Sequence, residues 1–137
     1  MRILALDYGT ARIGVAISDE LRMLATPLEF IPAEPFADFL ARLRQIISDK
    51  EVELILVGLP RNMDGSYGPA AAAVRQFIER LRPTLTVPLL TWDERLSTVQ
   101  AHRLLRQAGH KARQHKRRVD ASAAAVLLQS YLDSIQS

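Results

Sequence analysis

The N-terminal quarter of the chain alternates short apolar runs with turn residues, a pattern that predicts β-strands. Ile3–Asp7 and Arg12–Ser18 are rich in strand formers, and the glycine-containing turn between them favours an antiparallel hairpin. A third extended stretch covers about Met23–Ile31, where Pro27 indicates an irregular or edge strand. These three runs together predict a meander.

Further along the chain, apolar residues at helical spacing alternate with short apolar runs. The predicted elements are a helix from Phe36 to Ile47, a strand over Leu54–Val57, a helix from Ser66 or Pro69 to Leu81, and a strand over Val87–Trp92. The run at 54–57 is fully apolar, as expected of a parallel strand covered on both faces.

The C-terminal part is predicted to be helical. Ser97 and Thr98 are candidate caps of a helix that Gly109 ends. A basic loop then leads into a last helix from Val119 to about Ile135, which is apolar on most sides and therefore predicted to be largely buried.

This order of elements predicts an α/β fold. Three early strands followed by strands that alternate with helices imply a mixed five-stranded sheet covered by helices. The chain has 137 residues, so we expect one domain over residues 1–137.

Composition narrows the class of protein. Nearly half of the residues are apolar, no apolar run reaches membrane-spanning length, and the chain has no cysteine. Disulfides and thiolate metal sites are thereby excluded, and a cytoplasmic protein without a membrane partner is expected.

Charge is distributed unevenly along the chain. Residues 95–119 carry eight Lys/Arg and no acid, whereas residues 1–94 carry ten Lys/Arg and thirteen Asp/Glu. An acid-free basic segment favours a polyanionic partner, with nucleic acid the first candidate. A solvated helix face with a charged loop is the alternative.

Acidic residues stand where predicted elements begin or end. Asp7 follows the first strand, Asp93 and Glu94 follow the fifth, and Asp120 starts the last helix. Carboxylates gathered at the carboxyl edge of a sheet would need hard cations, Mg²⁺ or Mn²⁺, and a pair of such ions can promote phosphodiester hydrolysis. Each acid also has a structural explanation, as a turn former, a helix cap or an ion-pair partner.

Two other sets of residues give weaker signals. The segment from Gly58 to Gly68, which includes Pro60, Arg61 and Asn62, lacks the P-loop pattern and is predicted to be a loop beside the site. The three histidines do not have zinc-hydrolase spacing.

Four segments of the chain resemble the conserved blocks of the YqgF family. They are DYGTARIGVAISD, VGLPRNMDGSYGP, TWDERLST and KRRVDASAAAVLLQSYLD, and the resemblance spans Met1 to Asp133. Members of that family are small bacterial proteins described as Holliday junction resolvases or pre-16S rRNA nucleases. The resemblance implies an RNase H-like fold, with three antiparallel N-terminal strands and helices on both faces.

The resemblance also implies which residues act. Asp7, Glu94 and Asp120 would be the catalytic acids and metal ligands, and Asp93, which adjoins Glu94, is a possible ligand. The related resolvases have an acid after the fourth strand, where this chain has Val57-Gly58-Leu59-Pro60 instead. The residues expected to hold phosphates are Arg12, Arg95, Lys111, Arg113, Lys116, Arg117 and Arg118.

The leading functional hypothesis is a Mg²⁺- or Mn²⁺-dependent nuclease that processes the 5′ end of pre-16S rRNA, with the assembling small ribosomal subunit as a possible partner. A four-way DNA junction is the second substrate, and cutting it symmetrically would need a dimer. A non-catalytic RNA-binding module is a third reading. The fourth is an ATPase or phosphotransferase of the actin/Hsp70 type, because DYGTARIGVA also resembles their phosphate-binding hairpin. Monomer and homodimer both stay open.

Overall fold

The strands form one mixed sheet in the order β3-β2-β1-β4-β5. The computed structural model describes residues 1–60, 67–93 and 112–136, the side chains of residues 112–122 excepted. The strands are β1 (Arg2–Asp7), β2 (Arg12–Ser18), β3 (Ala25–Pro32), β4 (Val52–Leu59) and β5 (Leu89–Asp93). β1 pairs antiparallel with β2 and parallel with β4, and β3 is antiparallel to β2 at one edge. The predicted mixed five-stranded sheet is confirmed.

Three helices cover the sheet in the described part of the chain. They are α1 (Phe36–Asp49), α2 (Pro69–Leu81) and α3 (Ala112–Gln136), and a short 3-10 turn (Arg82–Thr84) follows α2. α1 and α2 pack on one face, where their apolar residues meet alternate residues of the strands; this core includes Leu4, Leu6, Ile13, Val15, Phe39, Leu43, Val74, Phe77 and Leu81. α3 packs on the other face against Ile3, Ala5, Ala16 and Leu56. The residues from Ala124 to Leu128 are all buried, as predicted from their composition.

The structure adds a detail to the prediction for β3 and corrects the prediction for β4. The β2–β3 register shifts next to Pro27, which pairs with Ala16 on the edge strand where a missing amide proton is tolerated. β4 is longer than predicted and includes Gly58, which pairs with Trp92, so placing Gly58 in a loop was wrong. The parallel pairing with β5 explains why β4 is longer, because β5 provides hydrogen-bond partners for the β4 backbone as far as Leu59.

The last helix also begins earlier than predicted. α3 starts at Ala112, so the segment 113–118 is helical and not a loop, and Asp120 lies inside the helix instead of at its start. Arg, Lys, Gln and Ala are good helix formers, and no Gly or Pro interrupts the sequence from Ala112 to Gln136. The helix predicted between Ser97 and Gly109 lies outside the described residues.

Candidate active site at the carboxyl edge of the sheet

Asp7 ends β1 at the edge of the sheet where the parallel strands also end. Its neighbours Leu6 and Tyr8 both belong to the core under α1 and α2, and Tyr8 stacks on Phe77 with ring centroids 4.7 Å apart. Because side chains alternate along a strand, Asp7 faces the opposite side, which α3 covers. The carboxylate is half-buried.

The turn after Asp7 depends on a glycine. A β-carbon on Gly9 would lie 2.5 Å from the carbonyl oxygen of Arg12, closer than side chains approach backbone. The chain therefore needs glycine here to bring β2 back beside β1, so that Asp7 and Arg12 stand at the same end of the hairpin.

A cavity of about 310 Å³ opens beside Asp7. In the described part of the chain its lining consists of Asp7, Tyr8, Gly9, Thr10, Ala11, Arg12, Gly14 and Phe30. The guanidinium of Arg12 lies over the ring of Phe30, 4.4 Å from its centroid. The cavity thus has a carboxylate on one wall and an arginine–aromatic pair on the other.

Asp93 lies at the same edge of the sheet as Asp7, but it faces the other side. β4 separates β1 from β5, so the two backbones are about 10 Å apart. Trp92 packs against Tyr131 of α3, with ring centroids 5.2 Å apart, and its Nε1 donates to Ser130 Oγ at 3.2 Å. Since Trp92 faces α3, Asp93 faces the side of α1 and α2.

The C-terminal half of α3 is anchored where β2 ends and β3 begins, at the opposite end of the strands from Asp7. The backbone N–H of Ala25 donates to Gln129 Oε1, and Gln129 Nε2 donates to the carbonyl of Met23, each at 2.9 Å. Gln136 Nε2 donates to the carbonyl of Arg22, also at 2.9 Å. α3 therefore runs back from this end toward the end that carries Asp7.

Asp120 belongs to the same helix, nine residues before Gln129 and about 13.5 Å from it along the helix axis.

The first two turns of α3 carry basic positions. Ala112 is 17 residues before Gln129, about 25 Å along the helix axis. Arg113, Lys116, Arg117 and Arg118 all lie in the helix between Ala112 and Asp120.

Several predicted site residues lie outside the described residues: Arg61, Asn62, Glu94, Arg95 and Lys111. Pro60 directly follows β4 at the edge of Asp7. In the part of the chain with described side chains, no three His, Asp or Glu residues gather into a metal-binding group. None of the described helices is long and apolar enough to cross a membrane.

Of the eight described residues that line the cavity, only Asp7 and Arg12 were predicted as site residues; the turn residues 8–11, Gly14 and Phe30 were missed. Gly14 interrupts an apolar strand, and a glycine in that position is a recognised signal of close backbone approach. Nothing in the sequence predicts a functional role for Phe30, because a phenylalanine in an edge strand usually serves only for packing.

Comparisons with known proteins find relatives over nearly the whole chain. A protein of Roseiflexus sp. (strain RS-1) is 46% identical over 133 residues, which cover 97% of this chain and 94% of that protein. One of Desulforamulus reducens is 48% identical over 134 residues and 98% of each chain. Both carry the name "Putative pre-16S rRNA nuclease".

Solved structures share the fold at low sequence identity. Thermus thermophilus RuvC in complex with Holliday junction substrate superposes with a TM-score of 0.59 at 16% identity, covering 100% of this chain and 97% of that one. The fowlpox virus resolvase in complex with Holliday junction DNA gives 0.61 at 11% identity, covering 100% of both chains. The expected resolvase-like fold is confirmed.

The model of one protein family matches residues 1–134, nearly the whole chain. That family is RuvX, described as Holliday junction resolvase. The chain belongs to the RuvX family.

Proposed function

We propose that this RuvX-family nuclease uses a divalent cation, Mg²⁺ or Mn²⁺, to hydrolyse a phosphodiester bond of pre-16S rRNA near its 5′ end, in the cytoplasm. One observation carries the proposal: Asp7 stands at the carboxyl edge of the sheet on the wall of a cavity that Arg12 also lines. A carboxylate and a guanidinium that line one cavity can bind a cation and a phosphate side by side.

The donor set fits a hard cation. Carboxylate oxygens such as those of Asp7 are the preferred ligands of Mg²⁺ and Mn²⁺. Asp7, Glu94 and Asp120 would hold the metal. A bound divalent cation supplies an activated water and neutralises charge on the leaving oxygen.

The spacing of α3 supports Asp120 as one of these ligands. Asp120 stands four residues before Ala124 and seven before Leu127, which is the spacing of a single helix face. Ala124 and Leu127 are both buried against the sheet.

The face of Asp93 supports Glu94 as the other ligand. Asp93 lies on the side of α1 and α2, opposite to Asp7, so the two carboxylates do not share a cavity in this arrangement. Arg12 has a different role, because it lines the cavity and its guanidinium would bind a phosphate next to the cleaved bond.

Two observations support RNA as the substrate. Relatives at 46–48% identity carry the pre-16S rRNA nuclease name, and the first turns of α3 carry a group of basic residues without an acid. A four-way DNA junction is the second candidate, favoured by the description of the family and requiring a dimer for paired cuts.

The test uses the purified full chain with two labelled substrates, a pre-16S rRNA 5′ leader and a four-way DNA junction. Each is incubated with Mg²⁺, Mn²⁺ or EDTA, in parallel with the Asp7→Asn variant. The proposal expects cleavage of the RNA that EDTA and Asp7→Asn both abolish.

The other results are equally informative. Cleavage of the junction alone would replace RNA by branched DNA as the substrate. Cleavage that persists in EDTA or in Asp7→Asn would contradict the mechanism, and RNA binding without cleavage under all conditions would leave a binding module.

A further inference from the structure

Asp7, Gly14 and Phe30 form a row across three adjacent strands. Asp7 pairs with Gly14 on β2, and Gly14 pairs with Phe30 on β3. All three face the side of α3, because Ile13, Val15 and Ile31 belong to the core on the other side. The middle member has no side chain, so a slot separates the carboxylate from the ring.

The dimensions of this slot suit a small ligand. Two strand spacings put the backbones of Asp7 and Phe30 about 10 Å apart. The cavity that these residues line has a volume of about 310 Å³, at the lower end of the range of roughly 300–1,000 Å³ that small-molecule sites show. One nucleotide is a ligand of that size.

Among the described residues, Phe30 is not part of either hydrophobic core. The other described aromatic rings of the sheet and helices, those of Tyr8, Phe36, Phe39, Phe77, Trp92 and Tyr131, pack within or against the cores. Phe30 is half-buried and instead supports the guanidinium of Arg12 at 4.4 Å. A cation–π contact of this kind restricts where the arginine donors point.

We propose that the slot between Asp7 and Phe30, floored by Gly14, is the subsite for the nucleotide next to the cleaved phosphate, and that Phe30 is a positioning residue that fixes the guanidinium of Arg12 over its ring. This inference rests on the proposed nuclease function and adds the residues that seat its substrate. The absence of a side chain at Gly14 leaves room for the sugar, and Arg12 binds the phosphate that follows.

The test compares three variants with a matched control. Gly14→Ala and Gly14→Val fill the slot from its floor, and Phe30→Leu removes the ring while keeping an apolar side chain. Phe36→Leu is the control, because Arg80 lies over Phe36 at 4.1 Å in an equivalent contact on the far side of the sheet. Phe30→Tyr keeps an aromatic ring and should restore function.

Two measurements are made on each variant. Binding of a short fluorescein-labelled single-stranded RNA is measured in EDTA, where cleavage cannot interfere, and kcat and KM are measured with Mg²⁺. We expect Phe30→Leu to raise Kd and KM about tenfold with little change in kcat, a loss equivalent to about 1.4 kcal/mol. The Gly14 variants should lose binding and cleavage together.

Melting temperature separates this effect from misfolding. Gly is a poor strand residue, so Gly14→Ala should melt at or above the temperature of the wild type while its affinity falls. Unchanged Kd and KM in Phe30→Leu and Gly14→Ala would overturn the subsite, and so would an equal loss in Phe36→Leu. A wild type that binds RNA but never cleaves it would refute the nuclease and not the subsite, which the binding measurements decide alone.

Discussion

Replacing Gly9 by alanine should distort the turn that holds Asp7 and Arg12 together. The new β-carbon would lie 2.5 Å from the carbonyl oxygen of Arg12, about 0.9 Å short of the 3.4 Å at which ordinary contacts begin. The obstructing atom belongs to the backbone, so no side-chain rotation relieves the contact and the strands must move.

The expected cost combines two terms. Overpacking of this kind destabilises by about 1–3 kcal/mol, and the lower chain entropy of unfolded alanine returns about 0.4–1 kcal/mol. The net loss of about 1–2 kcal/mol should lower the melting temperature by roughly 4–8 °C for a chain of this length.

Activity should fall further than stability. A displacement of about 1 Å between a catalytic group and a substrate contact can cost about a hundredfold in rate. Thr10→Ala is the matched control, because Thr10 is an exposed residue of the same turn and its loss should change stability by no more than about 0.5 kcal/mol. If Gly9→Ala melts and cleaves like the wild type, the close approach described for this turn is wrong.

Three further predictions concern stability. Ser18→Ala should cost about 1–3 kcal/mol in urea unfolding, because it leaves the buried Ile3 amide, now paired with Ser18 Oγ at 2.9 Å, without an acceptor; an unchanged midpoint would contradict this. Leu128→Ala should cost about 2–5 kcal/mol, since this side chain of α3 is fully buried against the sheet, and a loss below about 1 kcal/mol would argue against that packing. The hydrogen bonds of Arg42 lower the pKa of Glu29, so this carboxylate stabilises the fold above its ordinary pKa of 4.5 and the contribution disappears as pH falls through the lowered value. Glu29→Gln should therefore flatten thermal stability between about pH 5 and pH 3, and an unaltered slope would refute this.

The sheet was predictable because its strands differ in pattern. β2 alternates between two buried faces around Gly14, β4 is almost wholly apolar, and Pro27 marks the edge strand. Each pattern reflects a physical constraint on burial or hydrogen bonding that acts within a few residues.

Element ends were less predictable, since they depend on partners distant in sequence. Gly58 reads as the start of a loop, yet pairing with Trp92 keeps it in β4. Similarly, the charge of the segment before Val119 suggests a loop, whereas its residue types favour the helix that begins at Ala112.

The candidate site was only half visible in the sequence. Asp7 is recognisable because it ends a buried strand before a turn. The face on which Asp93 lies cannot be recognised from the sequence. It depends on the packing of Trp92 against Ser130 and Tyr131 of α3, of which Ser130 is 38 residues further along the chain. Phe30 becomes meaningful only through the register that sets it across Gly14 from Asp7.

If the chemistry takes place on the α3 side of the sheet, Asp7 and not Asp93 carries it. Single-turnover cleavage of the labelled RNA leader by Asp7→Asn and Asp93→Asn, compared with the wild type, distinguishes the two faces. We expect Asp7→Asn to lose at least about a hundredfold in rate, equivalent to about 2.7 kcal/mol, while Asp93→Asn stays within about threefold of the wild type. Equal losses in the two variants, or a greater loss in Asp93→Asn, would contradict it.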